Sequence, residues 1–252
     1  MAGLELALLC FALLVVAALY ASVGHGGASG YLAVLSLTTY ATMEVAWLKQ
    51  HAWVLNLLVA ALAFHHYKKA GFFDFKFTLP FILASVPMAM LGGSLRVDGA
   101  LYDTLLSLTL IWAAWRLLRT PAAQEECREV SQPLALGVGA GIGLVSGIIG
   151  VGGGIFLSPI LLLNRWATPK SAAATSACFI WLNSLAGLGG AALSDQLALS
   201  WETLLPFLAA VGIGGFLGAR HGAQIAPQSA VRKLLVAVLV IAAAKRTLEL
   251  LV

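Results

Sequence analysis

The residues able to do chemistry in this chain are few, and two glycine runs stand out among them. They are Gly24-His25-Gly26-Gly27-Ala28-Ser29-Gly30 and Gly150-Val151-Gly152-Gly153-Gly154. A run of this kind breaks a helix. The helix that follows then begins with free backbone N–H groups at the positive end of its dipole. That arrangement binds anions without requiring a buried Lys or Arg. Close helix packing through small residues is the competing role of glycine in an apolar chain, but two runs in corresponding places favour a binding site. Gly24, Gly26, Gly27, Gly150, Gly152, Gly153 and Gly154 are therefore candidate substrate contacts. At Gly27 and Gly153 a methyl group is expected to fit where a larger side chain would cover the N–H groups.

Polar side chains near the runs add donors. Lys49 and Asn56 are seven residues apart, as are Ser176 and Asn183, so on helices each pair shares a face. With Gln50 and Thr175 beside them, these faces read as donor-bearing walls of one site. Lys49 is either a snorkelling anchor or a cavity charge, since an intramembrane charge is costly and needs a reason to be kept. His25 reads either as a proton relay or as a structural group bonded to a carbonyl. Histidine beside serine also satisfies the minimal requirement for acyl transfer, with Ser29 or Ser158 as nucleophile and His25 as base. No acid is available to orient that histidine, and the second glycine run has no histidine at all.

These residues must be positioned by membrane-spanning helices. The chain has 252 residues, 60% hydrophobic and 10% charged, with a mean hydropathy of +0.93; soluble domains carry about 25% charged residues. A water-soluble enzyme, a nucleic-acid-binding module and a secreted disulfide scaffold are excluded. The net charge of +4 reflects loop topology rather than a nucleic-acid partner. Cys10, Cys127 and Cys178 are too scattered for a metal cage or a disulfide framework, and no cofactor or nucleotide motif is present. Residues 1–21 have no basic leader and read as a first span rather than a signal peptide.

Apolar stretches predict an all-α polytopic membrane protein with about eight spans, at 4–23, 44–64, 77–95, 101–118, 134–150, 171–193, 202–219 and 229–250. The pieces 30–40 and 155–164 are too short to cross and follow the glycine runs as half-spans. His65 and His66, beside Lys68 and Lys69, read as a membrane-surface loop, and Trp47, Trp53, Trp112, Trp115, Trp166, Trp181 and Trp201 as interfacial anchors. A shift of 126 residues superimposes the glycine runs, Leu79-Pro80-Phe81 on Leu205-Pro206-Phe207, and Leu91-Gly92 on Leu217-Gly218. This predicts two homologous halves, 1–119 and 134–252, joined by a polar linker over 120–133. Such repeats are typical of secondary transporters, whose sites lie where the repeats meet. An even number of crossings per half makes the repeats parallel and an odd number inverted; the sequence leaves both open. Eight spans divide the Lys and Arg residues eight to seven between the two sides, nearly a tie. The cluster at 65–69 and the polar linker tilt both termini towards the cytoplasm.

Gly150-Val151-Gly152-Gly153-Gly154-Ile155-Phe156-Leu157-Ser158-Pro159, followed by Ala167-Thr168-Pro169-Lys170, Ala174-Thr175-Ser176 and Asn183, resembles the second-half signature of the TauE/SafE sulfite exporter family, the toluenesulfonate uptake permeases. Gly24-His25-Gly26-Gly27 resembles its first-half counterpart, and the resemblance covers essentially the whole chain. It implies a multi-pass protein of the prokaryotic cytoplasmic membrane that moves sulfite or small organosulfur anions, with protons as coupling ion and homo-oligomer formation left open. The first half departs from the pattern by carrying Lys49-Gln50 where the second has Thr175-Ser176. A passive anion channel is the alternative with the same residues.

Overall fold

The computed structural model describes residues 3–35, 38–96 and 127–227, with isolated positions at 104, 108, 115, 229–230, 233 and 237. Among them all regular structure is helical. The helices are α1 (Gly3–Ala21), α2 (Ala28–Leu35), α3 (Val45–Lys69), α4 (Phe75–Ser94), α5 (Gln132–Ile149), α6 (Gly154–Leu163), α7 (Pro169–Leu193) and α8 (Trp201–Arg220). A 3-10 turn at Thr39–Thr42 follows α2 and a π-helical turn at His221–Ile225 follows α8. Six of these helices are long and apolar enough to cross a membrane, and α2 and α6 are not. Apart from the isolated positions, the expected spans at 101–118 and 229–250 and the linker up to residue 126 lie outside the described residues.

Local signals set the helix starts. Asp74 caps α4 by accepting from the Phe77 N–H at 3.2 Å, and Thr168 caps α7 by accepting from the Ser171 N–H at 3.3 Å. Each cap satisfies one donor that the first turn cannot. Pro169 follows directly as the first residue of α7, where its missing N–H costs nothing. On α1, Leu9, Leu13, Ala17 and Ala21 are buried while Leu4, Leu8, Phe11, Val15 and Leu19 are exposed, so an apolar face is turned outward as a lipid solvent requires. One expectation needs correction. Residues 65–69 are not a surface loop: α3 continues to Lys69, and His66, Lys68 and Lys69 form its last turn, where cations complement the dipole.

Glycine stripes determine which helices pair. Gly139, Gly143 and Gly147 on α5 lie against the backbone of Phe81, Ser85 and Ala89 on α4. In the same way, Gly214, Gly218 and Gly222 lie against Leu14 and Ala18 of α1 and Ser22 just after it. Both series advance together in steps of four, so each pair runs in the same direction through the membrane. Without a Cβ the backbones meet directly, which is how helices gain dispersion contact in lipid. The central pair, α3 and α7, is antiparallel: Trp53 meets Gly187, Asn56 meets Ser184, and Tyr67 clusters with Ala173 and Ala174. α8 runs with α3, through His51 with Ser200 and Val59 with Gly215. α4 runs with α7, through Thr78 with Thr175 and Gly93 with Gly187.

The stripes predict opposite outcomes for two substitutions in α5. Gly143→Ala places a methyl group on the Ser85 carbonyl and should cost about 1–3 kcal/mol by overpacking. Gly137→Ala meets nothing within 4 Å and should be neutral or stabilising by up to about 1 kcal/mol through helix propensity. Thermal unfolding of the two purified variants in one detergent measures the difference.

Candidate functional site

The two glycine runs end at the same depth, halfway along the α3/α7 pair. α1 reaches Ser22 beside Tyr67 near one end of α3, through a 2.6 Å bond from the Tyr67 hydroxyl to the Ser22 carbonyl. The chain then turns back, so that Gly26 and Ala28 lie beside Asn56 at mid-helix. α5 arrives from the opposite side, with Gly150 against Lys49, and turns back so that Gly152 also lies beside Asn56. α2 and α6 therefore start next to one another and run to opposite faces. Their N-termini are joined across the junction by His25, whose Nε2 lies 2.9 Å from the Gly154 carbonyl. Two positive dipole ends thus converge at one buried point.

The turns need left-handed backbone. Gly24 and Gly27 have φ of 77° and 100°, and Gly150 and Gly153, their partners at the 126-residue shift, have 87° and 83°. This overturns the expectation that alanine fits at Gly27 and Gly153. A Cβ at Gly27 would approach the Tyr31 ring to 2.6 Å and one at Gly153 the Phe179 ring to 2.7 Å, and any side chain is strained at such φ values.

Asn56 ties the junction together. Its Oδ1 accepts from the Ala28 N–H at 3.0 Å, and its Nδ2 faces the Val151 carbonyl and the Ser184 hydroxyl, each at 3.4 Å. One fully buried amide thus caps α2, holds the second glycine run and reaches α7. Tyr31 completes the first run by donating to the Gly26 carbonyl at 2.6 Å. α6 has no equivalent, and its N-terminus at Gly153 receives no side-chain cap. The two breaks are therefore unlike: a side chain caps the helix after the first, and none among the described residues caps the helix after the second.

His25, Ser158 and Ser176 form a chain, with Ser158 Oγ at 3.2 Å from His25 Nε2 and 2.7 Å from Ser176 Oγ. This brings together the pair that acyl transfer would use. A carbonyl can only accept, however, so the 2.9 Å contact to Gly154 requires the proton to sit on Nε2. A protonated Nε2 cannot take the Ser158 proton. The other ring nitrogen, Nδ1, is buried without a partner, so no carboxylate orients the ring.

The remaining expected residues fall into two groups. Gln50, Thr175 and Ser176 are engaged in holding elements together. Gln50 braces the chain before α8, donating to the Gln196 carbonyl at 2.5 Å and accepting from the Ala198 N–H at 2.7 Å, and Thr175 meets Thr78 of α4 at 3.2 Å. Lys49 and Asn183 are not so engaged. Lys49 is only 5% exposed and its ammonium lies 5.5 Å from the centre of the Trp53 ring, whereas both amide atoms of the fully buried Asn183 lack a partner. Trp53 Nε1 and Ser146 Oγ are likewise buried and unpaired. Trp53 is no interfacial anchor, being fully buried against Gly187. Sequence reasoning paired Ser158 with His25 but missed Ser146, the Ser158 contact with Ser176 and the buried place of Trp53; the glycine at position 187, which admits the indole, was the one available hint for Trp53.

Residues 9–246 match the family described as Sulfite exporter TauE/SafE. The chain is 34% identical over 247 residues to a protein of Sinorhizobium fredii named Probable membrane transporter protein y4hK, covering 94% of this chain and 96% of that one. It is 26% identical over 183 residues, 64% of this chain and 65% of the relative, to Probable membrane transporter protein YunE of Bacillus subtilis. No solved structure matches the chain.

The two asparagines should behave oppositely when replaced by leucine. Asn56→Leu strands the Ala28 N–H and should destabilise the fold by about 1–3 kcal/mol. Asn183→Leu removes an amide with no partner and should leave stability unchanged or raised. Midpoints of thermal unfolding, measured side by side, check both.

Proposed function

The chain belongs to the TauE/SafE sulfite exporter family, and from that premise we propose that it is a secondary transporter exporting sulfite or a small organosulfur anion across a prokaryotic cytoplasmic membrane, driven by protons. The observation that carries this reading is the meeting of two half-helix N-termini at mid-depth, where broken helices of transporters place anionic groups. The site comprises the two glycine breaks, Lys49 and Asn183, with Asn56 as their tie. Hydrolysis is disfavoured by the protonated Nε2 of His25. A channel would share the architecture and differ only in coupling.

The two-repeat reading is supported by four correspondences at one shift. These are the matched positive φ values, Pro80 and Pro206 each as sixth residue of its helix, the short helices after each break, and the reciprocal pairing of α1 with α8 and α4 with α5. The running directions favour inverted repeats, because α3 opposes its counterpart α7. α4 and α5 run the same way, which fits one more crossing between them, as expected from the apolar sequence 101–118. Counted so, each half makes five passes. Loop charge then ceases to be tied. Lys68, Lys69, Lys76, Arg116, Arg119, Arg128, Arg165, Lys170, Arg220, Arg232 and Lys233 share one side, leaving Lys49, Arg96, Lys245 and Arg246 for the other. The positive-inside rule makes the first side cytoplasmic and puts both termini outside, opposite to the tilt drawn from eight spans.

Two measurements test this. In proteoliposomes with equal sulfite inside and outside, an imposed proton gradient should drive sulfite to accumulate on one side, and a protonophore should abolish that accumulation. Flux that merely follows the sulfite gradient identifies a channel. For topology, the exposed native Cys127 should react with a membrane-impermeant maleimide in inside-out vesicles and not in intact spheroplasts.

A further inference from the structure

Among the described residues, the buried side-chain polar atoms without a partner are His25 Nδ1, Trp53 Nε1, His66 Nδ1, Ser146 Oγ and both amide atoms of Asn183. The three of these side chains that are not histidine lie on one side of the second break. α5 and α7 both run with α4, so they run with one another, and the space beside Gly153 is shared by Ile142 of α5 and Phe179 of α7. One turn on along each helix, Ser146 and Asn183 stand at a common level. A further turn on, Gly150 packs against the Cβ and Cγ of Lys49, and Gly187 packs against the indole of Trp53. Lys49 and Trp53 are themselves one turn apart on α3, with the ammonium 5.5 Å from the ring centre. Four buried side chains from three helices thus stand within about two turns of the uncapped start of α6, on the side that its N-terminus faces. Of these, Trp53 Nε1, Ser146 Oγ and both amide atoms of Asn183 have no partner.

Native interiors pair nearly all such atoms, and a cluster of exceptions points to a ligand that supplies the bonds. Its chemistry follows from the groups. Lysine and indole only donate, hydroxyl and amide donate and accept, and the α6 N-terminus donates, which together describe an oxyanion. Charge narrows the class further. α3, α5, α6 and α7 contain no Asp or Glu, so Lys49 is the one full charge among these four side chains. A single negative charge neutralises it, whereas a double one leaves an excess buried charge, which is expensive in low dielectric.

Resting on the transporter reading above, we infer that Lys49, Trp53, Ser146 and Asn183, with the start of α6, form a binding pocket selective for monoanionic oxyanions, sulfonates and hydrogensulfite, over dianions such as sulfate. Trp53 and Ser146 thereby join the substrate contacts, and charge balance rather than size sets the selectivity.

The test uses the full chain in nanodiscs, with methanesulfonate as the permanent monoanion and sulfate as the permanent dianion. Methanesulfonate should raise the unfolding temperature in a saturable way, and sulfate at the same concentrations should raise it at least ten-fold less effectively. Asn183→Leu and Lys49→Gln should each weaken methanesulfonate binding ten-fold or more, and Trp53→Phe several-fold, in samples whose ligand-free unfolding is cooperative. If Lys49→Gln does not fold, Asn183→Leu and Trp53→Phe decide the matter. Equal stabilisation by sulfate, no response to methanesulfonate, or wild-type affinity in Asn183→Leu and Trp53→Phe would overturn the pocket. Proteoliposome flux separates this inference from its premise. Binding as expected without flux removes transport and keeps the pocket, while sulfite flux with unaltered variant affinities removes the pocket and keeps transport.

Discussion

A hydrocarbon solvent offers no hydrogen bonds, so every interruption of a helix inside it must be satisfied by protein or by a bound group. The rest of this molecule is arranged around that constraint. Two interruptions are brought to the same depth, and Asn56 answers both from the middle of α3, taking the Ala28 N–H on one side and facing the Val151 carbonyl on the other. A single side chain can do so only because Gly26 and Gly152 leave room for its amide between the two turns. The long central pair α3 and α7 supplies the rigid frame from which that amide is presented.

The frame is held by contacts that depend on the absence of side chains. Glycines at every fourth position of α5 and at the end of α8 let whole backbones touch, and such contacts resist sliding because each carbonyl fits one gap. Polar ties are sparse and placed at junctions: Thr78 with Thr175, Ser158 with Ser176, Gln50 with the 196–198 segment. The interior therefore separates into groups that hold the protein together and a smaller set, Trp53, Ser146 and Asn183 near the second break among them, whose polar atoms hold nothing within it.

Much of this was legible in the sequence, for physical reasons. Apolar length located the six long helices to within about five residues, and the glycine runs located both short ones. The error at the end of α3 arose because His65, His66, Lys68 and Lys69 look like a loop in composition, although a helix ending in cations is electrostatically sound. The running directions were not legible, since apolar periodicity carries no sign; they emerge only from contacts such as Leu14 with Gly214. Nor could residue type separate Asn56 from Asn183. Both lie near the middle of their spans, yet one is saturated with hydrogen bonds and the other has none, a distinction created by what the glycine runs bring alongside.

The pairing of α1 with α8 bears on how the protein is assembled. Leu14 and its glycine partner are separated by 200 positions in the chain, and ribosomes extend a chain by about 5–20 residues per second. For many seconds, then, the first helix stands in the bilayer with its narrow face bare, able to pair wrongly with any small-residue surface nearby. Closure of this fold is accordingly a late event of synthesis. A chain truncated before α8 leaves α1 without the glycine face that its backbone packs against.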